Sequence, residues 1–587
     1  MGENVEFFVF AVANSRFLYT FAREIRTNNY QMKTFILTMA ALLMWAADVR
    51  ANDFETAKEA VANMGVGWNL GNTLDANSSS ASGLSSETCW GQPTTKAELM
   101  TMMKKAGYSA VRVPVTWYNH MDSSGNVDAD WMARVKEVVD YVIDAGLYCI
   151  LNVHHDTGSG DGAWLEADET VYSSVKSKYE SLWNQIATTF KDYDEKLLFE
   201  AYNEMLDTYD SWCFASFATS NRYDATVATS AYNAINSYAQ TFCDVVRATG
   251  GNNAQRNLVV NTYAACSGSG TWNSHLKEPL QNMKVPSGEG DHIIFEVHAY
   301  PTISPLSEAK TTFDNMMTAL NQYLVAQGVP VIFGEWGTSD SSSDYTNNKD
   351  TMFEFVDYFV SQAKANNMAT FFWMGLSDGS ARSLPAFNQA DLAERIVNAY
   401  YGETTGYEYP STADIETNYQ VTYNAQWSEV NVHNGSLSLS EYVGIRVELD
   451  QSYPSDMIKL KAYGENSSEQ YAASTGNTRS MTFSTSKLGS TVSRVTLQCF
   501  STGSYTVTIK KIYLLKSDGT EVEVTTAPST FWGCTVEAVS ATSGIHEMTT
   551  TTKTAVGNTG TYSITGQKVA DGYKGIVIKN GRKYLVK

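Results

Sequence analysis

The 587-residue sequence lacks three features that would each point to a class of protein. Basic residues are scarce: 42 Lys and Arg stand against 63 Asp and Glu, a formal net charge of −21. This balance argues against a nucleic acid or an anionic membrane as partner, because phosphate contacts need clustered Lys and Arg. The seven cysteines show no CxxC spacing, so neither a zinc site nor a disulfide scaffold is indicated. No apolar run outside the N-terminal region suggests a membrane span.

Residues 32–51 have the composition of a secretory signal peptide. Lys33 supplies the positive charge, residues 35–47 form an apolar segment too short to cross a bilayer, and residues 49–51 offer a cleavage site. Residues 1–31 are interpreted as an upstream extension and are left out of the fold prediction. The sequence therefore predicts an exported protein, without a transmembrane helix in its mature form.

Between residues 52 and 401, eight short apolar runs alternate with amphipathic segments. The runs are GVGWNLG (65–71), AVRVPV (110–115), YCILNVH (148–154), LLFEAYNE (197–204), NLVVNTY (257–263), HIIFEVHAY (292–300), PVIFGEWG (330–337) and ATFFWMG (369–375). Near-continuous hydrophobicity over so few residues is typical of parallel strands buried on both faces. Eight such strands alternating with helices predict an α/β fold, a (β/α)8 barrel.

Three further regions follow the barrel. Residues 402–419 are polar and are predicted to be a linker that few contacts cross. Residues 420–540 have short alternating runs separated by Gly, Ser and Asn, which predicts a β-sandwich. The sandwich is either a carbohydrate-binding module, with Trp427, Tyr442 or Trp532 as stacking residues, or a spacer domain. Residues 541–587 form a Thr-rich spacer and a small β-like tail.

Polar and ionisable residues stand where the predicted strands end, which in a barrel of this kind is the functional face. They are Arg112 on strand two, His154, His155 and Asp156 on strand three, Asn203 and Glu204 on strand four, His298 and Tyr300 on strand six, Glu335 on strand seven and Trp373 on strand eight. Adjacent residues on a strand point to opposite faces, so residues 154–156 rarely serve one metal. We expect no metal and no cofactor. Glu200 and Glu296 lie in mid-strand and are predicted to be paired inside the barrel or at its wall.

Six stretches resemble glycoside hydrolase family 5: GWNLGNTLDA, VRVPVTW, ILNVHHD, FEAYNE, FEVHAY and FGEWGT. The resemblance covers residues 52–401 and implies a (β/α)8 fold and a retaining mechanism on β-linked polysaccharides. The first and third stretches resemble the endoglucanase, lichenase and xyloglucanase branches more than the mannanases. The implied protein is an endo-β-1,4-glucanase acting on cellulose, mixed-linkage β-glucan or xyloglucan. One alternative is a xyloglucanase, lichenase or mannanase of the same family. The other is a non-catalytic glycan-binding surface protein, and the presence of both Glu204 and Glu335 argues against it.

The resemblance also implies a role for each residue at the strand ends. Glu204 is the acid/base and Glu335 the nucleophile; Arg112 and Tyr300 hold the nucleophile, Asn203 takes the sugar 2-hydroxyl, His298 tunes the acid/base, His154 is the strand-three histidine, and His155, Trp373, Trp117, Trp90 and Asn69 contact substrate. The chemistry needs these types, because acetal cleavage requires a proton for the leaving oxygen and stabilisation of an oxocarbenium-like centre. Met205 departs from the proline that many relatives have after the acid/base.

The C-terminal tail carries a second resemblance. The stretches GQKV and KGIVIKNGRKYLVK are similar to the C-terminal sorting domain of the type IX secretion system of Bacteroidetes. The resemblance implies export across an outer membrane, and a secreted or cell-surface bacterial enzyme. We expect it to act as a monomer.

Overall fold

The computed structural model describes residues 54–160, 162–211, 223–268, 275–402, 406–472 and 476–541, with the backbone of three short strands beyond them. The predicted upstream extension and signal peptide lie outside the described residues. So do Trp212, Phe214 and Phe217 of the loop that follows the fourth strand.

Eight parallel strands, each paired with the next and the eighth with the first, form a closed barrel. The strands are β1 (Val66–Asn69), β2 (Ala110–Val113), β3 (Tyr148–Asn152), β4 (Leu197–Glu200), β5 (Leu258–Asn261), β6 (Ile293–Ala299), β7 (Val331–Trp336) and β8 (Ala369–Phe372). All eight lie within the apolar runs, and every residue in them is buried. The predicted (β/α)8 fold is confirmed.

Helices surround this barrel and close its lower end. They are α1 (Ala57–Met64), α2 (Ala97–Lys105), α3 (Ala129–Asp144), α4 (Glu169–Thr189), α5 (Ala225–Ala248), α6 (Glu278–Asn282), α7 (Leu306–Tyr323), α8 (Ser341–Asn347), α9 (Lys349–Ala365), α10 (Ser380–Ser383) and α11 (Ala390–Tyr401). Helix α1 begins with a capping box between Thr56 and Glu59, which pairs backbone N–H groups that would otherwise lack partners. Its Val61 and Met64 join the apolar cluster inside the barrel, so that end is plugged.

The barrel interior changes from apolar to polar along its axis. The lower inward positions are apolar: Ile150, Leu198, Val259, Ile294, Ile332 and Phe371. Inward positions recur every second residue in a strand, and the next ones up are polar: Asn69, Arg112, Asn152, Glu200, Asn261 and Glu296. Arg112 Nε lies 2.6 Å from Glu200 and 3.3 Å from Glu296. The predicted pairing of these two mid-strand glutamates inside the barrel is therefore confirmed.

A β-bulge in β7 alters which way its last residues point. Val297 of β6 pairs with Phe333, and His298 pairs with Glu335, so Gly334 is an extra residue. Phe333 and Trp336 both pack in the outer core, which regular alternation would not allow for positions three apart. A Cβ atom at Gly334 would lie 1.7 Å from the Glu296 carboxylate. The bulge thus places Glu335 at the mouth, and only glycine leaves room beneath it.

Two antiparallel sheets form the sandwich, in the strand orders β13-β12-β15-β10-β18 and β14-β11-β16-β9-β19, with β17 beside β16. The strands are β9 (Thr417–Tyr423), β10 (Glu429–Ser438), β11 (Tyr442–Leu449), β12 (Ile458–Gly464), β13 (Glu469–Ala472), β14 (Thr478–Thr482), β15 (Thr491–Cys499), β16 (Tyr505–Lys516), β17 (Glu521–Glu523), β18 (Ser529–Trp532) and β19 (Cys534–Ser540), with a helical turn, α12 (Thr485–Leu488). A separate apolar cluster fills the space between the sheets.

The polar segment after the barrel is packed against it, contrary to the prediction of a linker that few contacts cross. Phe387 donates its N–H to Pro410 at 2.7 Å and accepts one from Thr412 at 3.0 Å. Tyr407 lies over Gly107, where a Cβ would approach its ring within 2.6 Å. Polarity alone misled the prediction, because the segment docks through backbone hydrogen bonds and tyrosine rings.

The sandwich itself also contacts the barrel. Ala538 of β19 packs against Leu384 and Ala386, which follow α10. Lys96, just before α2, pairs with Glu537 at 2.9 Å. Barrel and sandwich therefore share an interface with an apolar centre.

The tail contributes three antiparallel strands, β20 (Thr561–Ser563), β21 (Gly575–Lys579) and β22 (Arg582–Val586). Within the described part of the chain, no helix has the length and apolar character needed to cross a membrane.

Candidate active site

An open cleft of about 760 Å³ lies at the C-terminal mouth of the barrel. Its lining is His154, His155, Ser159, Asn203, Glu204, Asp210, Tyr300, Glu335 and Trp373. Seven of these nine residues are ones that the sequence singled out at strand ends. The sites predicted on strands three, four, six, seven and eight therefore meet in one cleft.

Two carboxylates face each other in this cleft. One oxygen of Glu204 and one of Glu335 lie within 4.8 Å of each other. Regular strand β4 ends at Glu200, but Ala201 and Asn203 continue to donate N–H groups to the neighbouring strands, each at 3.0 Å. This edge pairing carries the chain up to Glu204, whose side chain is 23% exposed and open to the cleft.

Glu335 is nearly buried and both of its oxygens have a donor. Arg112 Nη1 donates to Oε1 at 2.8 Å, and the Tyr300 hydroxyl donates to Oε2 at 2.7 Å. Burial raises the pKa of the Glu335 carboxyl above its ordinary value, although His298, Arg112 and Tyr300 oppose this shift. The two hydrogen bonds fix the plane of the carboxylate toward the cleft.

Arg112 is fully buried and connects the site to the barrel interior. Its Nε and Nη2 donate to the two oxygens of Glu200 at 2.6 and 2.7 Å. Nη2 also donates to Asn203 Oδ1 at 2.8 Å. Because the Asn203 carbonyl faces the arginine, the amide NH2 group is the part of this side chain left to donate toward the cleft.

His298 bridges the two carboxylates and the interior. Its Nδ1 lies 2.7 Å from Glu204 and 3.6 Å from Glu335, and its Nε2 lies 3.1 Å from Glu296. Burial lowers the pKa of His298, but the surrounding carboxylates, Glu335 first, outweigh it and raise the pKa to about 10. The imidazole is therefore protonated at neutral pH and donates from both nitrogens.

His154 is held in the neutral form. Val115 donates its N–H to Asn152 Oδ1 at 3.1 Å, so the NH2 group of Asn152 is the one 3.0 Å from His154 Nδ1. An NH2 group only donates, so Nδ1 accepts and the ring proton sits on Nε2. Burial first, and then the nearby cations, lower the pKa of His154 well below its usual value. The ring is parallel to Trp373, with centroids 5.8 Å apart.

A second histidine stands at the cleft edge. Nε2 of His155 lies 3.6 Å from Asp75. Burial lowers the pKa of His155, but Asp75, with Glu335 and Glu204, outweighs burial and raises it. The exposed ring of Trp90, 41% accessible, lies 5.3 Å from the His155 ring.

Two predicted substrate contacts do not reach the cleft. Trp117 is fully buried in the barrel's outer core and donates its indole N–H to the Asn152 carbonyl at 3.0 Å. Asn69 is also fully buried; it donates to the Gly334 carbonyl at 2.9 Å and accepts from Arg112 at 3.0 Å. Trp117 packs in the core. Asn69 supports the bulge at Gly334 and the Arg112 side chain beneath the cleft.

Three residues that orient others were not predicted from the sequence. Asn152 fixes His154, Gly334 forms the bulge below Glu335, and Asp75 pairs with His155. Strand alternation could have identified Asn152, because it is the inward position two residues beyond Ile150. Nothing in a single sequence marks the bulge.

Among the described residues, two groups have the composition of metal ligands: Asp75 with His154 and His155, and Glu204 with His298 and Glu335. In the first, both Asp75 oxygens accept backbone N–H groups, from Asn72 and Thr73. In the second, the protonated His298 has no lone pair to offer. The arrangement suits proton transfer and carboxylate chemistry better than metal binding.

Comparison with known proteins decides the family. The profile described as cellulase (glycosyl hydrolase family 5) matches residues 74–378, just over half of the chain. The chain belongs to glycosyl hydrolase family 5. This family 5 enzyme is 35% identical over 362 residues to Endoglucanase A of Clostridium longisporum, covering 58% of this chain and 63% of that protein.

Two solved structures resemble the barrel of this family 5 enzyme. One is a broad specificity endoglucanase from an uncultured bacterium: 61% identity, 60% of this chain, 97% of that chain and a TM-score of 0.58. The other is a family 5 enzyme from Prevotella bryantii B14, a mutant in complex with a xyloglucan tetradecasaccharide: 42% identity, 59% of this chain, 99% of that chain and a TM-score of 0.53. Both matches stop well short of the full chain.

Proposed function

We propose that the chain is a retaining endo-β-1,4-glucanase. The observation that carries this proposal is the pair of carboxylates, Glu204 and Glu335, with oxygens within 4.8 Å of each other across an open cleft. Retaining enzymes place their carboxyl groups about 5–5.5 Å apart, whereas inverting enzymes leave about 6.5–9.5 Å for a water molecule.

In the first step Glu335 attacks the anomeric carbon while Glu204 protonates the leaving glycosidic oxygen. The bond from the anomeric carbon to that oxygen breaks, and a covalent glycosyl ester forms on Glu335. Arg112 and Tyr300 keep the attacking carboxylate oriented, and the protonated His298 adds positive charge beside it.

In the second step water hydrolyses the ester. Esterification removes the negative charge of Glu335, and Glu204, now ionised after giving up its proton, accepts a proton from the water. His298, which contacts both carboxylates, keeps Glu204 oriented through the change of role. The Asn203 amide donates to the sugar 2-hydroxyl, and the Nε2–H of His154 is a further donor beside Glu335, at 3.9 Å.

The ring of Trp373 supplies the platform for the sugar at the cleavage point. It lies against Gly71, where a Cβ would come within 2.8 Å of the indole, and it lines the cleft beside His154. Pyranose rings present apolar CH faces that pack on aromatic planes. His155 and Trp90 extend the contact surface along one side of the cleft.

We propose β-1,4-linked glucans as substrates. Support comes from the similar endoglucanases of the family and from the xyloglucan bound to the Prevotella bryantii enzyme. The open form of the cleft suits binding inside a chain rather than at its end. We expect mixed-linkage β-glucan and carboxymethylcellulose to be cut fastest, xyloglucan also to be cut, and galactomannan to be cut poorly.

Reducing-sugar release on these four polysaccharides tests the substrate class, and NMR of the first product tests the stereochemistry. Galactomannan cut fastest would overturn the glucanase assignment. A product of inverted anomeric configuration would exclude the retaining mechanism. Binding without any release of sugar ends would favour a non-catalytic glycan-binding protein.

We further propose that the enzyme is exported and acts as a monomer outside the cell. The composition of residues 32–51 and the resemblance of the tail to a type IX sorting domain support this. Mass spectrometry of the terminal peptides of the mature secreted protein tests the export. We expect an N-terminus near residue 52 and a removed C-terminal tail.

A further inference from the structure

The outer face of the sandwich's five-stranded sheet is polar yet buried. Val430 and Val432 of β10 point into the sandwich core, as do Leu497 and Cys499 of β15. The alternate residues of the same strands therefore point outward. They are Glu429, Asn431, Thr496 and Gln498, and all are at least nine-tenths buried. Outward side chains of an ordinary solvated sheet are not covered to this extent.

Glu429 is the centre of this face, and residues of the two strands β12 and β15 donate to it. It accepts hydrogen bonds from Tyr463 at 2.6 Å, from Thr496 at 2.7 Å and from Gln498 at 2.7 Å. Lys461, also nearly buried, lies 3.4 Å away. The network fixes the side chains of β10, β12 and β15 in place.

Two amide oxygens beside this network have no partner. The NH2 group of Gln498 donates to Glu429 and to the Trp427 carbonyl, which fixes its orientation, and its Oε1 is left unpaired. The NH2 group of Asn431 donates to Ser529 at 3.1 Å, and its Oδ1 is unpaired as well. Gln498 is 4% exposed and Asn431 6%. Buried acceptors of this kind normally have donors, so these two oxygens are positions where a hydroxyl group gains a hydrogen bond once the covering side chains move aside.

Several aromatic residues lie on or beside the same sheet. Trp427 lies 5.0 Å from Phe500, and Phe500 lies 6.4 Å from Tyr471. Elsewhere on the sheet the ring centroids of Phe531 and Tyr463 are 6.1 Å apart, and the Arg494 guanidinium lies 3.9 Å above the centroid of the Phe531 ring. Trp427, Tyr471, Phe531 and Trp532 are also the exposed large aromatic residues of the sandwich within the described part of the chain.

The other sheet of the sandwich, which contains β11 and β16, has a different kind of outer face. Its outer face carries exposed ion pairs, such as Arg446 with Glu521 and Lys511 with Glu523, which are usual for a surface in contact with water. Tyr442, a stacking residue predicted from the sequence, lies on that sheet near Lys516. Trp427 and Trp532 lie on or beside the five-stranded sheet.

We propose that the outer face of the five-stranded sheet binds a β-1,4-glucan chain, the polymer that the cleft cuts; the identity of this polymer rests on the proposed function. A glucan offers both things that the face lacks: CH faces for the exposed rings and hydroxyl donors for the amide oxygens of Asn431 and Gln498. A phosphate-bearing ligand would need free cations, whereas Lys461 is already paired with Glu429 and with Glu469 at 3.1 Å, and Lys459 and Arg494 lie over the rings of Phe500 and Phe531.

The interface between the sandwich and the barrel places the proposed glucan-binding face near the cleft. Ala538 and Glu537 hold the sandwich against the barrel, and β18, which carries Ser529, borders a groove of about 570 Å³ shared with residues 91–94 of the barrel. Trp90, at the edge of the cleft, precedes this stretch directly. A chain held on the sheet face therefore stays near the cleft, which raises its local concentration.

The test uses the full chain carrying Glu335→Gln, so that substrate is not consumed. Binding to phosphoric-acid-swollen cellulose is measured for this protein, for a Phe531→Ala/Trp532→Ala variant, and for Tyr442→Ala as a matched aromatic control on the other sheet. We expect the double variant to bind about threefold to tenfold more weakly, the effect of losing one or two aromatic contacts. Tyr442→Ala should bind like the parent. Equal binding by all three would overturn the proposal.

Asn431→Leu gives an independent test, because melting temperature and cellulose binding are expected to respond differently. The substitution removes a buried amide oxygen that has no donor, together with the hydrogen bond from the amide NH2 group to Ser529, so the melting temperature should change little. Cellulose binding should fall. A fall in melting temperature with unchanged binding would show a structural role and overturn the proposal, even if the aromatic double variant does not fold.

The failure of the proposed activity can be told apart from the failure of this inference. Wild-type protein that releases no sugar ends from any β-glucan, while the two sheet variants still lose cellulose binding, would refute the activity and support the binding face. Hydrolysis of soluble glucan at wild-type rate by variants that also bind cellulose normally would support the activity and refute the face.

Discussion

Glu335 in the barrel and Glu429 in the sandwich are both nearly buried carboxylates that accept hydrogen bonds from neighbouring strands. Glu429 has at least three donors within 2.7 Å and a buried lysine beside it. Glu335 has two donors, and a second carboxylate, Glu204, stands across an open cleft from it. The proposed functions assign catalysis to the site of Glu335 and glycan binding to the face around Glu429.

The difference shows what makes a buried carboxylate reactive. Donors alone stabilise the charge and hold the group still, as they do for Glu429. Glu335 in addition lines the cleft, and Glu204, the proton donor and acceptor of the proposed mechanism, lies within a few ångströms. The sheet face offers neutral amide oxygens and rings, which can bind a sugar but cannot break its acetal bond.

The largest effect should follow from removing the reactive carboxylate. Glu335→Ala should lower the rate on soluble mixed-linkage β-glucan by at least about 10⁴-fold, because no nucleophile remains. Added azide should restore part of the rate and give a product of inverted configuration. Glu429→Gln is the matched control: its soluble rate should equal that of the wild type. More than a trace of activity in Glu335→Ala would refute the nucleophile assignment.

Removing the cation beneath the cleft should cost stability as well as activity. Arg112→Met leaves Glu200 and Glu296 buried without their ion pair, so the free energy of unfolding should fall by about 3–5 kcal/mol. Urea denaturation at neutral pH measures this. The double variant Arg112→Met/Glu200→Met should recover part of the loss, because one unpaired charge is gone. A stability equal to that of the wild type would mean that the barrel interior tolerates these charges unpaired.

Much of the barrel could be predicted because the determining signals are local. Each strand is a short apolar run, and parallel strands carry their final residues to one mouth, so Glu204 and Glu335 could be placed together from sequence. Glu200 and Glu296 were separable from the cleft residues because they lie inside their strands.

Other features depend on contacts between distant segments and leave no local signal. The direction of the Trp117 ring is decided by packing in the outer core and by the hydrogen bond to Asn152, and the bulge at Gly334 by the register of three strands. In the sandwich, β10 and β15 are more than fifty residues apart in sequence. Their pairing is what brings Asn431 and Gln498 onto one face, and the alternating pattern of either strand alone does not reveal it.

A pH effect should distinguish the cleft from the rest of the barrel. The pKa of His298 is lowered by burial but raised by the carboxylates to about 10. Because this pKa lies above the ordinary value of 6.5, protonated His298 stabilises the folded state. This contribution is fully present below pH 6.5 and is lost as the pH rises through 10. The free energy of unfolding should fall by about 2 kcal/mol between pH 8 and 10. His298→Gln should not show this fall, whereas His292→Gln, a control outside the cleft, should.

The smallest expected effect concerns the segment between the two domains. A chain of residues 52–401 lacks Tyr407, which covers Gly107, and Tyr409, which packs against the barrel core; a chain of residues 52–415 keeps both. We expect the shorter chain to be less stable by about 1–2 kcal/mol, the value of partly burying two rings. Both keep every cleft residue, so both should cut soluble β-glucan at similar rates. Equal melting temperatures would show that the docking of this segment contributes little.

In the full chain, Lys96→Met removes the exposed pair with Glu537 and should lower the free energy of unfolding by less than about 1 kcal/mol, because two charges that remain in contact with water gain little from each other. The attachment of the sandwich should then depend on Ala538, Leu384 and Ala386, and Ala538→Asp should loosen it where Lys96→Met does not.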